Sequence, residues 1–163
     1  MNLTEAQARS SLESAKSLLE KAPREVVFSQ LSAFLRESFP RYRWTGVYLL
    51  EGQELFLSGW AGEHATEHTT IPLSKGVCGM AAREKRTVNV EDVRARPEYL
   101  ACFIETRSEI VVPIMDGDVC LGEIDIDGKE LGAYDASDER FLEAVARLLV
   151  PYAREALKHP SRR

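Results

Sequence analysis

The chain has 163 residues, of which 44% are apolar and 29% charged, the make-up of an ordinary globular protein with enough apolar side chains for a sizeable core. Its formal charge is −5, with acids and bases mixed along the whole length, so the basic footprint of a nucleic-acid binder is missing and no DNA or RNA partner is expected. The N-terminus carries Glu5, Arg9, Glu13 and Lys16, and no apolar run approaches the roughly 20 residues that cross a bilayer, so no signal peptide and no membrane anchor are expected and the location expected is cytoplasmic.

Thr4 and Glu5 open a predicted amphipathic helix with Ala8, Leu12, Ala15 and Leu18 at helical spacing, which stops before Pro23. A second helix carries Val26, Val27, Leu31, Phe34 and Leu35 on one stripe and ends at Phe39, ahead of Pro40. Trp44 to Leu50 and Glu54 to Ser58 flank Gly52-Gln53 and read as a hairpin. Gly76 to Arg86 reads as a short helix. Thr87 to Ile104 is a long excursion with one strand and a loop around Pro97, and long loops in compact domains usually carry function. A second hairpin joins Ile110 to Met115 and Val119 to Ile126 through Asp116-Gly117, a dipeptide suited to positive φ. Asp135 or Ser137 caps a last helix whose buried face runs through Phe141, Leu142, Val145, Leu148, Leu149 and Tyr152, with a kink or stop near Pro151.

This order predicts one α+β domain over 1–163, with N-terminal helices in 1–40, sheet and pocket loops in 41–135 and a C-terminal helix in 136–158. The terminal helices are expected on one face of an antiparallel sheet.

Side chains alternate along a strand, so Glu123, Asp125 and Asp127 share one face, and Cys120, Ile124 and Ile126 are expected on the other. Ile110, Val112 and Ile114 form the matching apolar set, which leaves Glu109 beside the acids. Several like charges on one small surface raise at least one pKa unless a cation or proton joins them, which suits a site that binds an ammonium group or donates a proton.

In the cytoplasm three cysteines are expected to be reduced, catalytic or buried rather than a disulfide framework. Cys120 is expected in the core, and Cys78, beside glycine, reads alone as a small buried hydrophobe. Cys102 differs, because it lies in a predicted loop seven residues before Glu109. His64 and His68 lie near Glu63 and Glu67, but His-x-x-x-His spacing binds metal from a helix, and Thr69-Thr70-Ile71-Pro72 reads as extended chain, so no metal site is expected.

From Trp44 to the final helix, the sequence resembles the GAF domains and, among them, the free methionine-(R)-sulfoxide reductases. The resemblance rests on Trp44-Thr45-Gly46-Val47-Tyr48-Leu49-Leu50, Lys75-Gly76-Val77-Cys78-Gly79, Glu91-Asp92-Val93, Ala101-Cys102, Ser108-Glu109-Ile110-Val111-Val112-Pro113 and Gly122-Glu123-Ile124-Asp125-Ile126-Asp127. The spacing of 24 residues from Cys78 to Cys102 and 23 more to Asp125 is what points to the reductase branch.

The resemblance implies a GAF-like fold and an antioxidant oxidoreductase acting on free methionine sulfoxide. It implies Cys102 as the nucleophile, Cys78 in disulfide formation and turnover, Glu109, Asp125 and Asp127 as the substrate-holding acids, and Trp44 as an aromatic wall near the methyl group. It implies no bound cofactor, electrons from an external dithiol such as thioredoxin, and room for a homodimer paired through the terminal helices. Three positions depart from the family pattern, one of them Cys120, which has no counterpart in it. His68 stands where most members have a further cysteine, and Phe103 stands where an acid commonly follows the nucleophile. Three outcomes stay open: Cys78 resolves alone, an external thiol does so, or a non-catalytic GAF module senses a small ligand or oxidant.

Overall fold

A computed structural model describes residues 2–97 and 103–160. Six strands form one antiparallel sheet in the order β3-β2-β1-β6-β5-β4: β1 (Trp44–Glu51), β2 (Glu54–Ala61), β3 (Thr70–Pro72), β4 (Val88–Val90), β5 (Ser108–Asp116) and β6 (Val119–Gly128). Three helices, α1 (Glu5–Lys21), α2 (Val27–Ser38) and α4 (Ala136–Leu157), cover one face, and α3 (Gly76–Glu84) lies on the other. The expected α+β, GAF-like arrangement is the one observed.

Local chemistry sets the helix limits. Thr4 and Gln7 form a reciprocal capping box at the start of α1, and Asp135 and Asp138 do the same for α4. Of the two candidate caps for α4, Asp135 takes the role; Ser137 instead donates its hydroxyl to Asp135. Pro151 neither stops nor ends α4, which runs on to Leu157. Its missing N–H leaves the carbonyl of exposed Arg147 without a helical partner, and water is available on that face.

The helix-covered face holds Val47, Leu49, Ile110, Val112, Ile114, Ile124 and Ile126 from the strands, packed on Leu31, Leu35, Phe141, Leu142, Val145 and Leu149. Phe39, Tyr42 and Tyr134 close its end, where the Tyr42 hydroxyl donates to buried Asp138 at 2.6 Å. The opposite face has its own smaller core, built from Trp44, Tyr48, Leu55, Ile71, Val77, Cys78, Ala81, Ala82 and Val111. The residues of α3 that meet the sheet are small, and a Cβ on Gly79 would stand 2.5 Å from the Leu73 carbonyl oxygen, so glycine lets this helix sit close.

Cys120 corrects the expectation from strict alternation. Ile114 pairs with Gly122 and Met115 with Cys120, so Leu121 is an extra residue in β6. This bulge resets the parity, sending Leu121 into the helix-covered core and Cys120 to the α3 side, where its thiol donates to the Gly122 carbonyl at 3.3 Å. A bulge depends on cross-strand pairing, which alternation within one strand does not report.

Candidate active site

The acids stand in adjoining strands on the α3 face. Asp127 of β6 is flanked by Trp44 of β1 and Glu109 of β5, Asp125 by Gly46 and Val111, and Glu123 by Tyr48 and Pro113. Glu109, Glu123, Asp125 and Asp127 are each 4% exposed or less, so they form a charged row inside a protein core. No lysine or arginine pairs with them among the described residues. Both carboxylate oxygens of Asp125, Asp127 and Glu123, and Oε2 of Glu109, lack a hydrogen-bond donor there.

Burial governs their protonation. Desolvation first, then the charges of Asp125 and Asp127, push Glu109 well above the usual carboxylate range. Desolvation raises Asp127 in the same way, with the Asp125 charge adding to it. Desolvation pushes Asp125 up to about 6, with the neighbouring Glu109 and Cys78 lowering it. Glu109 therefore holds a proton more readily than a solvent-exposed carboxylate does.

Cys78 hangs from α3 over this row. Its Sγ lies 4.0 Å from Glu109 Oε1, and Sγ, one Glu109 oxygen and one Asp125 oxygen lie within 4.8 Å of one another. Burial, followed by the charges of Asp125, Glu123 and Glu109, lifts its pKa well above that of a free thiol, so Cys78 is protonated at neutral pH. Cys102, the expected nucleophile, lies outside the described residues.

In front of Asp127 opens a pocket of about 440 Å³ lined by Trp44, His64, Ala65, Phe103, Thr106 and Gly128, among others. The Trp44 ring stacks on Trp60 at 6.3 Å between centroids and 12° between planes, and Phe103 meets it at 5.9 Å. Charged residues form the rim: Glu63 pairs with Arg43 and with Lys129, which also reaches Glu105 at 2.7 Å. A second cleft of about 410 Å³, between α1, α2 and α4, contains no cysteine and no buried acid.

The structure thus brings Trp44, Cys78, Glu109, Asp125 and Asp127 to one site. It adds residues that sequence reasoning did not single out. Cβ atoms on Gly46 and Gly62 would stand 2.4 and 2.3 Å from the Trp44 ring, so these two glycines make the slot that holds the indole. Tyr48 is wholly buried beneath the site and donates its hydroxyl to the His68 carbonyl at 2.8 Å, which ties position 68 to β1. Tyr48, on the face of β1 that carries Trp44 and Gly46, was legible from strand parity. Gly62 was not, because its contact with Trp44 needs the loop after β2 to fold back. Thr70–Pro72 is strand, as the expectation of extended chain beyond His64 and His68 required.

Residues 23–150 match the GAF domain family. The chain belongs to it. The free methionine-R-sulfoxide reductase of Saccharomyces cerevisiae is 43% identical over 110 residues, which span 65% of this GAF chain but only 60% of the yeast protein. The free methionine-R-sulfoxide reductase of Escherichia coli is 36% identical over 118 residues, covering 72% of this chain and 70% of that protein. Among solved structures, the free methionine-R-sulfoxide reductase of Neisseria meningitidis, in complex with its substrate, superposes with a TM-score of 0.84 at 33% identity, covering 94% of this chain and 92% of that one. No helix of this GAF protein is long and apolar enough to cross a membrane among the described residues.

The raised acids have a measurable consequence for stability. An unfolded aspartate titrates near 3.9, whereas Asp125 titrates at about 6 in the fold, so between these values the folded state holds more protons than the unfolded one. The stability is fully present below about pH 4 and is lost as pH rises through about 6; Asp127 adds to the loss in the same direction. Asp125→Asn and Asp127→Asn should therefore raise the Tm of the ligand-free protein at pH 8, by an increment that shrinks at pH 5. Thermal unfolding at the two pH values checks this; an equal fall in Tm at both would mean that the carboxylates support the fold.

Proposed function

We propose that this chain is an oxidoreductase that reduces free methionine-(R)-sulfoxide to methionine. The observation that carries the reading is the buried acid row at the foot of an aromatic pocket, with no paired cation among the described residues. Such a row is stable near neutral pH only with shared protons or an incoming cation, and the α-ammonium of a free amino acid is a cation of the right size. The aromatic wall of Trp44, held by its stack on Trp60, and Phe103 suits the thioether side chain and its methyl group. The names of the yeast, E. coli and Neisseria relatives support the same substrate.

The chemistry follows from these groups. The Cys102 thiolate attacks the sulfoxide sulfur and forms an S–S bond as the S–O bond breaks and the twice-protonated oxygen leaves as water. A water molecule then attacks the Cys102 sulfur, the S–S bond breaks, and methionine leaves with Cys102 as a sulfenic acid and one proton released. The substrate sulfur gains two electrons and Cys102 loses two. Glu109, whose pKa burial and the Asp125 and Asp127 charges raise, donates a proton to the oxygen as the S–O bond breaks. Cys78, also protonated, acts second: its sulfur joins Cys102 in a disulfide, and its proton leaves with the sulfenic hydroxyl as water. A cytoplasmic dithiol such as thioredoxin reopens the disulfide by exchange, with no bound cofactor.

The test is methionine release from the separated R and S sulfoxides with a dithiol reductant. Release from the R epimer alone is expected. The second reading is a non-catalytic sensing module, favoured by His68 standing where a further thiol is usual; it predicts sulfoxide binding without methionine release in the same assay. Cys78→Ser is expected to spare the first turnover, releasing about one methionine per active site before small thiols become limiting. Peptide mapping after substrate oxidation checks this, and absence of a Cys78 to Cys102 linkage in the parent protein would assign resolution to an external thiol.

A further inference from the structure

Behind the pocket floor, the thiol adds something that an ammonium host does not require. Cys78 Sγ, a Glu109 oxygen and an Asp125 oxygen come from α3, β5 and β6 and lie within 4.8 Å of one another, all buried. Both Asp125 oxygens and Glu109 Oε2 lack hydrogen-bond donors among the described residues. In a tetrahedral zinc site, with Zn–S near 2.3 Å and Zn–O near 2.0–2.2 Å, neighbouring ligand atoms stand roughly 3.5 Å apart. Metal binding thus asks these side chains to draw together from within 4.8 Å to that spacing. Magnesium and calcium want six or more oxygens, whereas three ligands that include sulfur select a borderline-soft ion. Asp127, the cross-strand partner of Glu109, lines the pocket, so one residue stands between the pocket and the cluster.

We propose that Cys78, Glu109 and Asp125 form a site for a divalent cation of the zinc class, which takes the place of the substrate ammonium and keeps Cys78 out of the disulfide. The shared location rests on the reading of the acid row given above; the metal site itself does not. Cys78 binds a metal as the thiolate, so its thiol proton is released on binding and affinity rises with pH. Zinc would then be a reversible inhibitor that also shields Cys78 from oxidation.

The experiment uses cadmium as the probe, in the full chain carrying Cys102→Ser, and reads the thiolate-to-metal absorption band. One cadmium per chain, proton release on binding, and displacement by free methionine are the expected results. Adding Cys78→Ser should abolish the band, and Asp125→Asn should weaken zinc binding at least on the order of tenfold, by competition with a chromophoric chelator. Asp125→Asn covers the case in which the Cys78→Ser protein does not fold. A band that persists without Cys78, or no band in the Cys102→Ser protein, would overturn the site. Binding that methionine leaves untouched would overturn the shared location. The absorption reads the metal whether or not the protein releases methionine, so failure of the reductase reading leaves this test standing.

Discussion

Cys102→Ser is expected to abolish methionine release with every reductant, a loss on the order of 10⁴-fold or more, as when a hydrolase loses its nucleophile. Cys78 and Cys120 cannot replace it. Both are buried, and burial raises the pKa of each thiol: Cys120 to about 11 and Cys78 well above its ordinary value, with the neighbouring acids adding to the shift. A thiol held protonated in that way presents almost no thiolate at neutral pH, and the thiolate is the attacking species. A single-turnover assay with the R sulfoxide reads the chemical step without any reductant. Methionine formed by the Cys102→Ser protein there would move the nucleophile to another residue.

N-acetyl methionine sulfoxide is expected to be turned over with kcat/KM lower by on the order of a hundredfold or more. Acetylation removes the positive charge that the acid row is proposed to meet, and truncating one partner of a buried charge pair commonly costs about 2–5 kcal/mol. Glu109, Asp125 and Asp127 have no lysine or arginine to fall back on among the described residues, so the neutral amide leaves their charge uncompensated. Asp125→Asn and Asp127→Asn should raise KM for the free amino acid and barely change the poor acetylated analogue. Equal turnover of the free and acetylated sulfoxides by the parent protein would remove the reason for the acid row. The two aspartates also link this result to the stability measurement, because the change that weakens substrate binding is the one expected to raise Tm at pH 8. Opposite signs for stability and substrate affinity at the same residue would mark these acids as kept for binding at a cost to the fold.

The elements were legible in the chain because each rests on short-range chemistry. The Thr4 capping box, Pro23, Pro40, Gly52 and Gly117 act on their own few residues, and they mark helix ends and hairpin turns wherever the chain goes. The shared face of Glu109, Asp125 and Asp127 was legible from the apolar sets of the two strands: Ile110, Val112 and Ile114 match Ile124 and Ile126 as the core side, whereas counting from the two-residue turn alone would set Glu109 opposite Ile126, one residue out of the observed register. Their chemistry was only half visible. A run of acids in a strand reads equally as a solvated edge, and what makes these acids proton-rich is that α3 and the pocket loops cover them. Cys120 shows the limit of parity, since the Leu121 bulge exists only in the pairing of β6 with β5. Trp44 was recognised as a pocket residue, but its slot between Gly46 and Gly62 and its stacking on Trp60 join residues from different strands and a loop. The approach of Cys78 to within 4.0 Å of Glu109, 31 residues away in the chain, depends on small side chains letting α3 settle onto the sheet. Local propensity and alternation thus determined which residues could face the site, and long-range packing decided which of them lost their water.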